Sequence, residues 1–294
     1  MTLGGEGQDK TMPGIGRLDP MRVARYALAG SDPAFGIVEL GEDHGQFPDT
    51  IAAITGDPLA GPVSYTGERH PLGEVRLLAP VIPRSKVLGI GRNYADPAAP
   101  DAQVPGPPVT FFKPNTTVIG PDDAIIRPTE VTELNFESEL AIVIGRISRK
   151  VPAKRAQEVI FGYTVGNDVT AANLQQREPQ WTRAKGFDTF TPLGPWIVTH
   201  LSIEEASNLA VSSTLDGEVR QQGNTNQMMR GIAELVAYFS NFSTLLPGDV
   251  ILTGTPAGAS QMLPLQHISC EIAGIGALHN VVVADDPGNF GEPA

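Results

Sequence analysis

A single cysteine, Cys270, in a chain of 294 residues excludes an internal disulfide framework. No apolar run approaches the roughly 18 residues a membrane helix needs. The first twenty residues are Gly-rich and polar and lack the apolar core of a signal peptide. Residues 1–20 are therefore expected to be a disordered tail, and a reducing cytoplasm is the expected location. Positive charge is also scarce. With 21 Lys and Arg against 33 Asp and Glu, the net charge is −12. That balance argues against nucleic acid and anionic membranes as partners, because phosphates demand a basic face. An acidic small molecule remains admissible where local cations or a metal receive it. The sequence shows no Ser-His-Asp arrangement, no Gly-rich phosphate loop and no zinc-spaced Cys/His set. None of the five histidines sits in a motif: His44 and His70 lie in polar turn-like stretches, and His200, His267 and His279 at strand ends. Cys270, on an expected strand, reads as a buried apolar residue rather than a nucleophile.

What is present is a β-rich pattern. The 41% hydrophobic content, with Gly and Pro throughout, suits a folded chain of one or two domains with a core that needs no staples. Met21 to Leu28 and Phe35 to Leu40 read as strands broken by Gly30, Pro33 and Gly41, and Thr50 to Thr55 reads as a short helix. Residues 21–74 thus form a small mixed α/β N-terminal unit. From Val75 the chain becomes a series of short strands between turn residues: Val87 to Ile90, Val109 to Phe112, Leu140 to Ile144, Tyr163 to Val165, Trp196 to Val198, Val250 to Thr253 and Ala277 to Val283. That spacing predicts a sandwich or rolled sheet over 75–294, a mainly β (α+β) fold. One helix is signalled between Asn226 and Phe242, where Ile232, Leu235, Val236, Phe239 and Phe242 recur at helical spacing. Five prolines between Pro97 and Pro108 predict a stiff, extended loop.

Chemistry concentrates in acidic residues at strand ends. In Asn135-Phe136-Glu137-Ser138-Glu139-Leu140-Ala141-Ile142-Val143-Ile144, alternation gives way to a continuous apolar run, so Glu137 and Glu139 share one face where a strand enters the core. Two adjacent carboxylates at a buried boundary repel each other unless a cation sits between them. Asp168 ends a second apolar strand, Tyr163 to Asp168. Three hard oxygen donors without a paired His or Cys favour Mg²⁺ or Mn²⁺. Alternating acids on a solvated strand produce the same pattern, so both readings stay open on these residues alone.

Several stretches, in order, resemble the fumarylacetoacetate hydrolase family. They are Leu77 to Pro80 with Lys86 to Tyr94, Phe111-Phe112-Lys113-Pro114, Phe136 to Ile144, Gly162 to Gln176, Gln180-Trp181 with Lys185 to Trp196, and Leu246 to Gly258. The likeness spans residues 75 to 284, with a weaker match at Met21 to Leu40. It implies a β-rich roll as catalytic domain, a homodimer, and metal-dependent cleavage, decarboxylation or isomerisation of 2-oxo or 1,3-dicarbonyl acids. It also implies Glu137, Glu139 and Asp168 as ligands of Mg²⁺ (or Mn²⁺ or Ca²⁺). Arg92, Gln175, Lys185 and Thr255 would contact substrate oxygens and carboxylate, with Lys185 as proton shuttle.

Two departures bear on the reaction. Many members read N-Y-x-x-H-x-x-E after the first Gly-rich turn, the His and Glu forming a lid dyad that activates water. This chain has Pro97 and Pro100 at those positions. Without that general base, a contribution of order 10²- to 10⁴-fold in rate is missing from hydrolysis. The family's usual N-D-V-[ST]-A-R-D-x-Q appears with Ala172 and Asn173 in place of the Arg–Asp pair, which implies a looser Asp168. The expected activity is therefore enolisation, as isomerisation, or decarboxylation of a small 2-oxo or 1,3-dicarbonyl acid. C–C hydrolysis of an acylpyruvate-type substrate is the second expectation, and a catalytically silent metal-binding relative the third.

Overall fold

The computed structural model describes residues 21–41, 48–95 and 106–285. Within them the chain runs through β1 (Arg22–Ala27), β2 (Ala34–Glu39), β3 (Thr50–Ile54), β4 (Tyr65–Pro71), β5 (Arg76–Leu78), β6 (Val87–Gly91) and β7 (Val109–Lys113). It continues through β8 (Val118–Ile119), β9 (Ala124–Arg127), β10 (Leu134–Asn135), β11 (Ser138–Ile144), β12 (Ile160–Asn167), β13 (Thr170–Ala171) and β14 (Thr191–Val198). The last strands are β15 (Ala210–Leu215), β16 (Glu218–Asn224), β17 (Val250–Leu252), β18 (Gln261–Met262), β19 (His267–Ile272) and β20 (Gly276–Ala284).

Ten strands of the largest sheet run in the order β4-β3-β2-β1-β14-β12-β11-β17-β6-β7, with β5 and β8 attached at β1 and β14. Most pairings are antiparallel; β17 and β6 run parallel. A five-stranded sheet, β16-β15-β19-β20-β9, packs across β11, β12 and β14. A small sheet of β13, β10 and β18 closes one end. All seven residues of β11 and all eight of β14 are buried. Continuous apolar runs rather than alternation are what a strand covered on both faces requires. Leu140, Ile142 and Ile144 face one core with Ile268, Cys270, Ile272 and Phe239, while Ala141 and Val143 face a second with Val87, Val250, Leu193 and Ile197. The expected sandwich-like, mainly β architecture is present, and no helix among the described residues is long and apolar enough to cross a membrane.

Two local expectations differ from the structure. Thr50–Ile54 is a strand, not a helix: β-branched Thr50, Ile51 and Ile54 pair on both sides, with β2 and β4, and tertiary pairing outweighs the two alanines' helical preference. The helix expected from Asn226 begins only at Ile232 and runs to Phe242. Asn224 caps a separate single turn, Thr225–Gln227, and the chain then stays extended because Asn93 holds both backbone groups of Arg230. Pro97 and Pro100 and the tail 1–20 lie outside the described residues.

Candidate active site

β11 and β12 are antiparallel, with Ser138 opposite Asn167, so the start of one and the end of the other meet at one edge of the sheet. β17 runs antiparallel to β11, and its C-terminal end delivers Thr253, Gly254 and Thr255 to the same edge. Here Glu137, Glu139 and Asp168 converge, with one oxygen from each lying within 4.8 Å of the others. Glu139 and Asp168 are buried and the Glu137 side chain is 18% exposed.

Each carboxylate is held differently. Asp168 takes Lys113 on Oδ1 and Lys185 on Oδ2, the latter at 2.5 Å. Burial alone would push its carboxyl up, but the two ammoniums outweigh burial and hold it below the usual carboxylate range. Glu137 accepts from Lys185 at 3.1 Å and from the Thr170 hydroxyl at 2.8 Å, yet burial still lifts its carboxyl above the ordinary value. Among the described residues, Glu139 accepts only the Gly254 N–H, at 2.7 Å. Burial, then the charges of Asp168 and Glu137, raise it well above the ordinary value.

Lys185 ends a short helical turn, Thr182–Lys185, and its Nζ donates to Glu137, Asp168 and, at 2.8 Å, Thr170. An ammonium has three donors, so all are committed. Burial would lower it, but Asp168 and Glu137 prevail and raise it above the usual lysine value. Phe111 lies beneath it, 4.6 Å from Nζ to ring centroid, and Trp181 flanks it at 5.9 Å.

Lys113, within the Phe111-Phe112-Lys113-Pro114 stretch, also belongs to the site although its residue type gives it no role in the sequence pattern. Its Nζ is fully buried and donates to Asp168, to Phe190 O at 2.7 Å and to Val169 O at 3.2 Å. Three strands, β11, β17 and β6, separate β7 from β12 in the sheet order. At ~4.8 Å per strand a flat sheet would hold them about 19 Å apart, so the contact requires the sheet to be curled. The signal was present: Phe111 and Lys113 alternate on the inward face of β7, and a lysine on a buried face demands a partner.

Of the other expected residues, Thr255 lies beside the acids, but its hydroxyl donates to Ser138 O and accepts from Gln221 Nε2, each at 2.8 Å. Gln221, buried on β16, also accepts from Ser138 N at 3.0 Å and so fixes the start of β11. Nothing in its stretch, Glu218 to Asn224, announced that role. Arg92 is exposed, sits in the left-handed region at φ 58°, and reaches none of the acids. Gln175 ends the turn Ala172–Gln175, also without a bond to the acids. With Ala172 and Asn173 in place of the Arg–Asp pair, both oxygens of Asp168 are bound by Lys113 and Lys185.

Three carboxylates, two of them buried, against two ammoniums leave one net negative charge when all are ionised, concentrated on Glu137 and Glu139. Clustered hard oxygen donors with uncompensated charge suit a divalent cation of the Mg²⁺ or Mn²⁺ type.

The chain is similar to known proteins along most of its length. Residues 86–283 match the fumarylacetoacetate (FAA) hydrolase C-terminal family, and residues 21–80 match an Rv2993c-like N-terminal family. The chain belongs to the fumarylacetoacetate hydrolase family. It is 46% identical over 266 residues to Protein Rv2993c of Mycobacterium tuberculosis, covering 90% of this chain and 98% of that one. It is 40% identical over 223 residues to the mitochondrial oxaloacetate tautomerase FAHD2A of Homo sapiens, covering 72% and 71%. Among solved structures, a 5-carboxymethyl-2-hydroxymuconate delta-isomerase from Mycobacterium smegmatis superposes with TM-score 0.81 at 45% identity, covering 90% of this chain and all of that one. A maleylpyruvate hydrolase from Sphingobium sp. SYK-6, in complex with manganese(II) and pyruvate, gives TM-score 0.73 at 27% identity, covering 90% and 100%. Relatives thus include isomerases, tautomerases and hydrolases of small organic acids.

Proposed function

We propose that this chain is a divalent-metal-dependent tautomerase that interconverts keto and enol forms of a small 2-oxo acid such as oxaloacetate. One observation carries the reading: the site combines an acidic triad fit for a metal with two ammoniums whose donors are all engaged, leaving fixed positive charge and no free amine base. Glu137, Glu139 and Asp168 would hold Mg²⁺ or Mn²⁺. When bound, the ion supplies Lewis acidity to a chelated 2-oxo carboxylate. Lys185 stabilises the negative charge that develops on enolisation. Its role is electrostatic rather than that of a proton shuttle, since a lysine raised above its usual value and donating three bonds gives up no proton at neutral pH. Arg92, just after β6 and without a partner among the described residues, supplies charge to an entering carboxylate, and Gln175 an amide to its oxygens. The kinship with an oxaloacetate tautomerase and a muconate delta-isomerase supports enolisation over hydrolysis, as do Pro97 and Pro100, which offer no group to activate water.

The test is the ultraviolet decay of oxaloacetate enol with Mn²⁺, Mg²⁺ or EDTA, followed by product analysis. Metal-dependent ketonisation is expected. Pyruvate and CO₂ as the main products would mean a decarboxylase, cleavage of acylpyruvates a hydrolase, and Mn²⁺ binding without any turnover a silent relative.

A further inference from the structure

Ketonisation of an enol needs a proton delivered to carbon, and almost every protic group around the triad is already committed. Lys113 and Lys185 each make three hydrogen bonds. The Thr170 hydroxyl lies between Lys185, Glu137 and the Asp168 carbonyl, and that of Thr255 between Gln221 and the Ser138 carbonyl. Tyr94 is different. Its hydroxyl is buried and has no hydrogen-bond partner among the described residues; the Ser138 hydroxyl, likewise unpartnered, lies on the face of β11 opposite Glu137 and Glu139. An orphaned buried hydroxyl costs about 1–3 kcal/mol unless a ligand satisfies it.

The backbone beneath Tyr94 is fixed beside the acids. The Asn93 amide donates to Thr253 O at 2.8 Å and Arg230 O at 3.0 Å, and Tyr94 itself bridges to Met228. Gly254, whose N–H binds Glu139, passes so close that a Cβ there would lie 2.8 Å from the Asn93 Cβ. Burial, and then the charge of Glu139, keep the phenol protonated far above neutrality. The chain therefore holds a neutral phenol on the residue that follows Asn93, which packs against the Gly254 turn that binds Glu139.

We propose that the Tyr94 hydroxyl is the proton donor of the reaction, giving its proton to the carbon α to the substrate carbonyl. This rests on the tautomerase reading. As the substrate enolate collapses to the carbonyl, its C=C electron pair forms the new C–H bond while the Tyr94 O–H bond breaks. The proton released earlier by the enol hydroxyl returns through water to the phenolate. No atom is gained or lost overall, and the reverse sequence enolises the keto acid.

The test uses the full chain with Mn²⁺ and oxaloacetate enol, comparing wild type with Tyr94→Phe. Expected are a fall in kcat of order 10²-fold, KM within about threefold, and unchanged Mn²⁺ affinity by electron paramagnetic resonance. In D₂O, wild type should deuterate one prochiral face of the α carbon, and residual turnover of the variant should lose that selectivity. A purely structural role would not move facial selectivity while sparing metal affinity. Should Tyr94→Phe fold poorly, replacement of Tyr94 by 3,5-difluorotyrosine keeps the shape while acidifying the phenol, and a several-fold change in kcat is expected. An active wild type with kcat and selectivity unaltered in either variant would overturn the assignment to Tyr94 and leave the tautomerase standing. A wild type that binds Mn²⁺ but turns over no 2-oxo acid would overturn both.

Discussion

At the residue scale, burial and pairing decide what each charged group can do. Asp168, Glu137 and Glu139 are chemically alike, yet the first is held ionised by two ammoniums and the last is left with one backbone N–H. Glu139→Gln removes the least compensated charge. Mn²⁺ binding measured calorimetrically should weaken by at least tenfold, while the melting temperature of the metal-free protein should hold or rise, because a buried repulsion disappears. Lys113→Met acts in the opposite sense. It leaves Asp168 Oδ1 and two carbonyls without their donor, and breaking one side of a buried ion pair costs about 3–5 kcal/mol. Chemical denaturation should show that loss. Equal stability of Lys113→Met and wild type would mean that Lys113 contributes nothing to holding Asp168.

At the element scale, the site exists because strands that are distant in the sheet order are brought together by its curl. β6 carries Gly89 and Gly91, where a Cβ would strike the Phe111 and Trp181 rings respectively. Those two rings, 5.8 Å apart, form the wall under the Lys185 ammonium. Gly91→Val should push Trp181 away and cost about 1–3 kcal/mol through overpacking, with turnover reduced more than Mn²⁺ affinity, since Lys185 moves before the triad does. Intrinsic tryptophan fluorescence reports the displacement directly; an unchanged spectrum with unchanged turnover would show that the ring contact is not required. The same scale accounts for the two segments that depart from their local preference. Helical preference at Thr50–Ile54 and helix onset at Asn226 were both overruled by partners far away in sequence, β4 in the first case and Asn93 in the second.

Across the whole molecule, acidity and metal should trade places as stabilising agents. Glu137 and Glu139 are raised in the folded state, so their contribution is fully present below the ordinary carboxylate value, ~4.3, and is lost as pH rises through their folded values. Asp168 is depressed, and its contribution is lost only as pH falls through its folded value. Metal-free protein should therefore lose melting temperature on going from about pH 5 to pH 8. With saturating Mn²⁺ the trend should reverse, because the ion competes with protons for the same oxygens. Melting curves at both pH values, with Mn²⁺ and with EDTA, test this. A metal-induced gain that is larger at pH 5 than at pH 8 would contradict the assignment of the raised carboxyls to the ion site.

Legible along the chain were the β-rich class and the continuous apolar strand after Glu139, written in alternation and apolar runs, and the family, written in ordered motifs that in turn pointed to Glu137, Glu139 and Asp168. The sequence also marked Lys185. Folding was needed to bring Lys113 into the site, to set Gln221 against the start of β11, to pin Lys185 on three acceptors, and to leave the Tyr94 hydroxyl buried without a partner among the described residues. These facts depend on where a curled sheet brings strand ends together and on which hydrogen bonds remain unfilled there. Neither can be computed from spacing along the chain, since a side chain's protonation and freedom are set by neighbours that may be a hundred residues away.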